Sequence, residues 1–347
     1  MIKKMKKMRL GKTELMVTKT SIGCLPLQRC TMENAISILR RSYEAGINYF
    51  DTANFYTDSE EKIGKAFEGI RHNVIISTKS MALDAKTITE HIETSLRRMK
   101  TDYIDLFQFH NVQELFDHND PQGPYAAALE AKRKGYVLHI GATTHRLKTA
   151  VKCVESGMYE TMQYPFSYLS TEEEVGLVSM CKERDMGFIA MKGLAGGILN
   201  NVRVCHSFMN QYENVVPIWG VQTIDQLEQW IALGEEDPKL DDEMRSIVEA
   251  DRKNLANNFC RGCGYCAPCP ASIEIHNLAR MDMLLRRAPW KPYFTEQWQK
   301  KLNKINDCME CGACVSKCPY KLNTPELLKF MLKDYNDFYE QYRHELA

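Results

Sequence analysis

The sequence predicts an α/β chain whose larger part is a (β/α)8 TIM barrel, and three observations lead there. Short β-branched or aromatic runs alternate with amphipathic stretches of helical spacing. The alternation recurs about eight times over roughly 220 residues, the size of such a barrel. No run leads into the glycine fingerprint of an open dinucleotide-binding sheet, because Gly193, Gly196 and Gly197 have a different spacing.

In chain order, the strands are expected at residues 18–23, 48–52, 74–79, 103–110, 138–143, 161–164, 188–192 and 216–220. Helices fit between them. Ala35, Ile38, Leu39 and Tyr43 share one face ahead of Gly46, a C-terminal stop, and Ile88, Ile92, Leu96 and Met99 form a second stripe. Strand and helix in regular alternation imply parallel strands joined by crossover helices. The beat stops near Gly234 to Pro238, and a charged stretch through Glu243 follows. Two domains are therefore expected, residues 1–237 and 238–347.

The 347 residues, 44% of them hydrophobic, suffice for a barrel and a smaller companion. Lysine plus arginine equals aspartate plus glutamate at 45 each, so no global field favours nucleic acid or an acidic membrane surface. The basic first ten residues lack an apolar stretch behind them, and no later segment is long and apolar enough to span a bilayer. A cytoplasmic protein is expected.

Eight of the 13 cysteines form two runs in the C-terminal part. Cys260, Cys263, Cys266 and Cys269 are followed by Pro270, and Cys308, Cys311, Cys314 and Cys318 by Pro319. Three cysteines at x2 spacing let a curling backbone present thiolates to three corners of a cubane, while the proline-followed cysteine serves the other cluster. The expected ligand sets are crossed: Cys260, Cys263 and Cys266 with Cys318, and Cys308, Cys311 and Cys314 with Cys269. Two [4Fe–4S] clusters in a small, mostly helical ferredoxin-like domain follow. Zinc also takes four thiolates, but usually from paired C-x2-C knuckles. The first run departs from ferredoxin spacing, with x2 instead of x3 before Cys269. Gly262, Gly264 and Gly312 allow the backbone to bend and to offer N–H groups to sulfur. Leu278, Met281, Leu284 and Leu285, and later Leu327, Leu328 and Met331, suit packing helices. Cys24, Cys30, Cys153, Cys181 and Cys205 lack ligand spacing.

In the barrel, Asp51 and Tyr56 stand at the end of the second expected strand, Lys79 at the end of the third and His110 at the end of the fourth. Strand C-termini form the end of a TIM barrel where active sites are built. A tyrosine of ordinary pKa about 10 is a poor acid at neutral pH, and a nearby ammonium makes its proton easier to give. Asp51 holds Lys79 charged, and His110 hydrogen-bonds the substrate oxygen. The four suit protonation of a carbonyl as hydride arrives.

These residues, with Arg9-Leu10-Gly11-Lys12-Thr13, the stretch 101–106 and Gly141-Ala142-Thr143-Thr144, make residues 8 to about 233 resemble the aldo-keto reductase family. Residues 259–320 resemble the two-cluster ferredoxin domain appended in one branch of it. The resemblance implies Tyr56 as general acid or base, Asp51 and Lys79 as its modulators and His110 as substrate orienter. It further implies Thr143, Thr144 and Gln163 at the nicotinamide, and Lys192, Leu194, Gly196 and Gly220 along the rest of the dinucleotide. Residues 218–230 carry no lysine or arginine where the family places cations for a 2′-phosphate, so NADH or NADPH is expected without a strong preference for the latter. Met191 stands where many members stack a tyrosine. The expected function is a nicotinamide-dependent oxidoreductase of a small carbonyl or alcohol, its clusters moving electrons, with a redox partner protein, or supporting the fold. The competing expectation is an electron-transfer or redox-sensing protein whose barrel binds a ligand without turnover.

Overall fold

The computed structural model describes residues 5–255, 259–262, 264–287, 290–318 and 320–346. The chain divides into two compact units, residues 1–245 and 246–347.

The first unit opens with an antiparallel hairpin, β1 (Lys7–Arg9) and β2 (Met16–Thr18). A closed barrel follows, formed by β3 (Ser21–Gly23), β4 (Tyr49–Asp51), β5 (Ile75–Ser80), β6 (Ile104–Phe109), β7 (Val137–Thr143), β8 (Thr161–Pro165), β9 (Gly187–Met191) and β10 (Val215–Gly220). Each strand pairs in parallel with the next, and β10 returns to β3. The helices between them are α1 (Met32–Glu44), α2 (Ser59–Ala66), α3 (Ala85–Met99), α4 (Pro124–Arg133), α5 (Leu147–Ser156), α6 (Glu172–Glu183), α7 (Val202–Asn210) and α8 (Ile224–Glu236). Each expected strand corresponds to one of the eight barrel strands.

Local chemistry explains the helix ends. Thr31, Asp84, Thr171 and Thr223 cap α1, α3, α6 and α8, each side chain accepting a backbone N–H three residues on. At Thr171 the Glu174 carboxylate returns the bond, which completes a capping box. Gly46, after α1, adopts φ +91°, as its reading as a stop requires. Ala35, Ile38 and Leu39 of α1 and Ile88, Ile92 and Met99 of α3 are buried as their spacing implies.

The hairpin closes the N-terminal end of the barrel. Leu10 and Val17 are fully buried against Tyr49, Ile189 and Val216, and Gly11 bridges Met186 just ahead of β9. Gly11 has φ +54°, and any Cβ there would collide with the Gly187 backbone, so this contact demands glycine. With that end filled, the strand C-termini and their loops form the open face.

α9 (Asp242–Leu255) carries the chain into the second unit, which contains α10 (Ile275–Leu278), α11 (Met281–Arg287), α12 (Glu296–Asn303), α13 (Ala313–Lys317) and α14 (Thr324–Tyr342). Its core gathers Leu278, Met281, Leu285, Phe294, Leu328 and Met331, and of the packing stripes expected on either side of the second cysteine run Leu284 and Leu327 are only partly buried against it. No described helix is long and apolar enough to cross a membrane.

Candidate active site and cysteine cavities

Asp51, the last residue of β4, and Lys79 on β5 stand on adjacent strands, in register through the Asp51–Ser77 pair. The Lys79 ammonium lies 2.5 Å from Asp51 Oδ1 and also donates to the Thr52 carbonyl at 2.6 Å. Both side chains are almost wholly buried. A buried pair repays its desolvation only when its remaining lone pairs are satisfied, and here they are. Ser77 Oγ donates to Asp51 Oδ2 at 2.6 Å, Gln108 Nε2 to the same oxygen at 3.2 Å and Gln163 Nε2 to Oδ1 at 3.4 Å. Tyr49 in turn donates to Ser77 at 2.9 Å, and Gln108 to Gln163 at 2.9 Å.

Tyr56 follows from a compact turn, its N–H bonded to Ala53 and its carbonyl to Ser59. Its ring lies 5.3 Å from the Lys79 ammonium and meets His110 edge-on, with centroids 5.8 Å apart. All four expected side chains thus converge at the open end. Burial pushes the Tyr56 hydroxyl above the usual phenol range, and the charge of Asp51 adds to this. The hydroxyl is therefore a held proton. Lys79 spends its hydrogen bonds on Asp51 and Thr52 and faces the Tyr56 ring as a charge.

Burial, helped by Lys79, lowers the His110 pKa to about 3, so the imidazole is neutral at physiological pH. Its Nδ1 is buried without a hydrogen-bond partner among the described residues. Buried polar atoms are rarely left so. The next residue, Asn111, sits in the left-handed region at φ +57°, with its N–H held by Thr143 Oγ1 at 2.7 Å.

The expected dinucleotide residues divide into two groups. Thr143 and Thr144 are buried at the end of β7 and Gln163 in the middle of the neighbouring β8, and Thr144 Oγ1 donates to the Val112 carbonyl at 2.8 Å. After β9, Lys192 (φ +59°), Ala195 (+46°), Gly196 (+78°) and Gly197 (+95°) turn left-handed, with Leu194 among them, in a short winding loop. Gly220 ends β10 in the open. Beyond it Thr223 and Gln226 are committed to the start of α8, Gln226 accepting from Gln222 at 3.0 Å. Trp219 stacks on Trp230 at 3.9 Å and 11°. These side chains are spent on capping and packing.

Sequence reasoning gave Ser77 and Gln108 no role, yet they clamp Asp51. A signal was present: each lies two residues before a chosen side chain, Lys79 or His110, and thus on the same strand face.

In the second unit the cysteines ring two cavities. One is lined by Cys260, Cys266 and Cys318; Cys263 and Pro319 lie outside the described residues. The other is lined by Cys269, Cys308, Cys311 and Cys314, with Cys266 also at its wall. Among the described residues, no three ligand-type side chains close on a point as one metal ion requires. Thiols lining a cavity suit the corners of a cubane. Gly262, Gly264 and Gly312 all have positive φ, and Gly262 N–H donates to Cys260 Sγ at 3.4 Å. Of the other cysteines, Cys24, Cys153, Cys181 and Cys205 are buried.

Comparison with known proteins agrees with this division. The Aldo/keto reductase family model matches residues 19–204, and the 4Fe-4S dicluster domain model matches residues 259–323. An uncharacterized oxidoreductase of Bacillus subtilis, YqkF, is 30% identical over 212 residues, 56% of this chain and 67% of that protein. The L-galactose dehydrogenase of Arabidopsis thaliana is 25% identical over 209 residues, 55% of this chain and 66% of that protein. Among solved structures, an aldo-keto reductase from Bacillus halodurans superposes with TM-score 0.63 at 23% identity, covering 71% of this chain and 96% of that one. With its barrel, its strand-end residues and a family match over more than half its length, this chain belongs to the aldo/keto reductase family and carries a C-terminal 4Fe-4S dicluster domain.

Proposed function

We propose that the protein is a nicotinamide-dependent oxidoreductase that interconverts a small carbonyl compound and its alcohol, and that two [4Fe–4S] clusters accompany the barrel. The observation that carries this reading is the convergence of Tyr56, His110 and the buried Asp51–Lys79 pair on the open end of the barrel. A bound nicotinamide supplies the hydride to the carbonyl carbon. His110, neutral and edge-on to Tyr56, offers a ring N–H to the carbonyl oxygen, which fixes the oxygen near Tyr56. The Tyr56 hydroxyl gives that oxygen its proton, and the C=O π pair becomes the new O–H bond. The Lys79 charge, held by Asp51, stabilises the phenolate left behind. Alcohol oxidation runs through the same groups in reverse.

Thr143, Thr144 and Gln163 are the residues to hold the nicotinamide end, and Lys192, Leu194, Gly196 and Gly220 the phosphates and beyond. The left-handed turns at 192–197 suit backbone approach to a pyrophosphate. The absence of lysine and arginine from residues 218–230 does not suit a 2′-phosphate, so NADH serves at least as well as NADPH. The same loop, spent on capping and on the Trp219–Trp230 stack, favours the second reading: a redox-sensing or electron-transfer protein whose barrel binds a ligand without turnover. A cytoplasmic setting, where thiols stay reduced, belongs to the proposal.

Tyr56→Phe separates the two readings. Screened anaerobically against aldehydes and ketones with both dinucleotides, it should lose at least ~10²-fold in carbonyl reduction while iron and sulfide stay unchanged. Unaltered turnover in the variant would remove Tyr56 from the mechanism, and no turnover in either protein would favour the second reading.

A further inference from the structure

The two cysteine cavities differ in charge. Arg261, directly after Cys260, is 8% exposed and lines the cavity with Cys260, Cys266 and Cys318. Its guanidinium lies 4.1 Å over the Tyr320 ring, two residues beyond Cys318, and 5.5 Å from the Phe259 ring. It is a cation held between aromatic faces, and it ties the first cysteine run to the end of the second. A second guanidinium, that of Arg280, lies against Gly262: a Cβ placed there would sit 2.8 Å from Arg280 Cζ. Arg280 is anchored through Nε to the His276 carbonyl at 2.9 Å. At the other cavity the charged lining residue is Glu310, which is largely exposed and paired with Lys329 at 2.5 Å. Solvent screens that pair, whereas Arg261 acts from a buried position.

We propose that Arg261, assisted by Arg280, is a redox-tuning residue, raising the midpoint potential of the cluster bound by Cys260, Cys266 and Cys318 without altering that of its neighbour. The inference rests on the two-cluster reading above. A thiolate-ligated cluster gains one negative charge on one-electron reduction, and a fixed cation at the cavity wall stabilises the reduced state more than the oxidised one. Exposure of the Cys311 cavity also favours its reduced state, so the claim concerns what Arg261 adds to its own site and not the order of the two potentials.

The test is a dithionite redox titration of the anaerobically purified full chain, followed by electron paramagnetic resonance, with iron and sulfide measured in each sample. Arg261→Gln should shift one midpoint potential negative and leave the other in place. Arg261→Lys, which keeps the charge but loses the planar stack, should return that potential toward the parent value, an outcome a purely structural role would not give. Arg280→Gln, at a more open position, should shift the same signal in the same direction by less, and it decides the matter should Arg261→Gln fail to retain iron. Full iron content with both potentials unmoved, or with both displaced equally, would overturn the proposal. A parent protein without iron and sulfide would instead sink the cluster reading beneath it.

Discussion

Two buried histidines make acid stability a residue-scale property. Burial lowers His110 to about 3 and His206 to about 4. His206 is held neutral between Thr20 Oγ1 and Asn210 Nδ2, each at 3.1 Å. Both folded values lie below the unfolded value of about 6.5, so as pH falls the unfolded chain takes up the protons first. Stability is therefore complete above about pH 6.5 and is lost on acidification, with each group contributing up to about 1.4 kcal/mol per pH unit until its folded pKa is reached. Urea unfolding of the barrel, read through the near-ultraviolet dichroism of the Trp219–Trp230 stack, should show a lower midpoint at pH 5.0 than at pH 7.5. His206→Gln should flatten the dependence. A midpoint equal at both values would contradict this account. Of the candidate site, the convergence of Asp51, Tyr56, Lys79 and His110 was legible in the sequence because Asp51, Lys79 and His110 lie at strand ends, on the face where a barrel is open, and Tyr56 in the turn after β4. Ser77 and Gln108 were not, because a buried serine or glutamine reads as filling until the geometry places its donor on a carboxylate.

At the scale of elements, close packing of α2 on α3 depends on a residue with no side chain. Gly64 lies within α2, and a Cβ there would collide with the Arg98 carbonyl oxygen and approach Met99 Cα at 2.9 Å. The opposing atoms are helix backbone, which cannot turn aside as a flexible side chain does. Gly64→Ala should therefore destabilise the barrel by about 1–3 kcal/mol, even though alanine favours a helix over glycine by about 1 kcal/mol. A higher denaturation midpoint in Gly64→Ala would show that propensity outweighs the clash. The eight strands were readable because inward and outward faces of a barrel strand are both covered, which leaves near-continuous apolar runs. The hairpin β1–β2 was not. Its strands are three residues each, β1 carrying Lys7 and Arg9, and the expected strand at 18–23 breaks where Lys19 turns its N–H to the Lys6 carbonyl at 2.8 Å.

For the whole molecule, the crossed cysteine sets, as proposed, would bind distant parts of the second unit into one. Cys318 lines the cavity of Cys260 and Cys266, and Cys269 the cavity of Cys308, Cys311 and Cys314. Each cluster would close a loop of roughly fifty residues, and thiolate ligation contributes folding free energy directly. Cys318→Ser should thus damage the cluster of the first run and spare the one beside it in sequence, with Cys269→Ser as the reciprocal control. Paramagnetic resonance of the reduced variants assigns the signals. Loss of only the Cys308, Cys311 and Cys314 cluster in Cys318→Ser would mean that each run binds its own. The cysteine spacing alone is enough to suggest this pairing, whereas the buried Arg261 beside it was invisible, since only the fold brings it onto Tyr320.

The proposed joining of a reductase barrel to a domain holding two clusters is tested most directly by chemical analysis of the anaerobically purified full chain. The account predicts about eight iron and eight sulfide per chain and a broad brown absorption that dithionite bleaches; stoichiometric zinc without sulfide would contradict it.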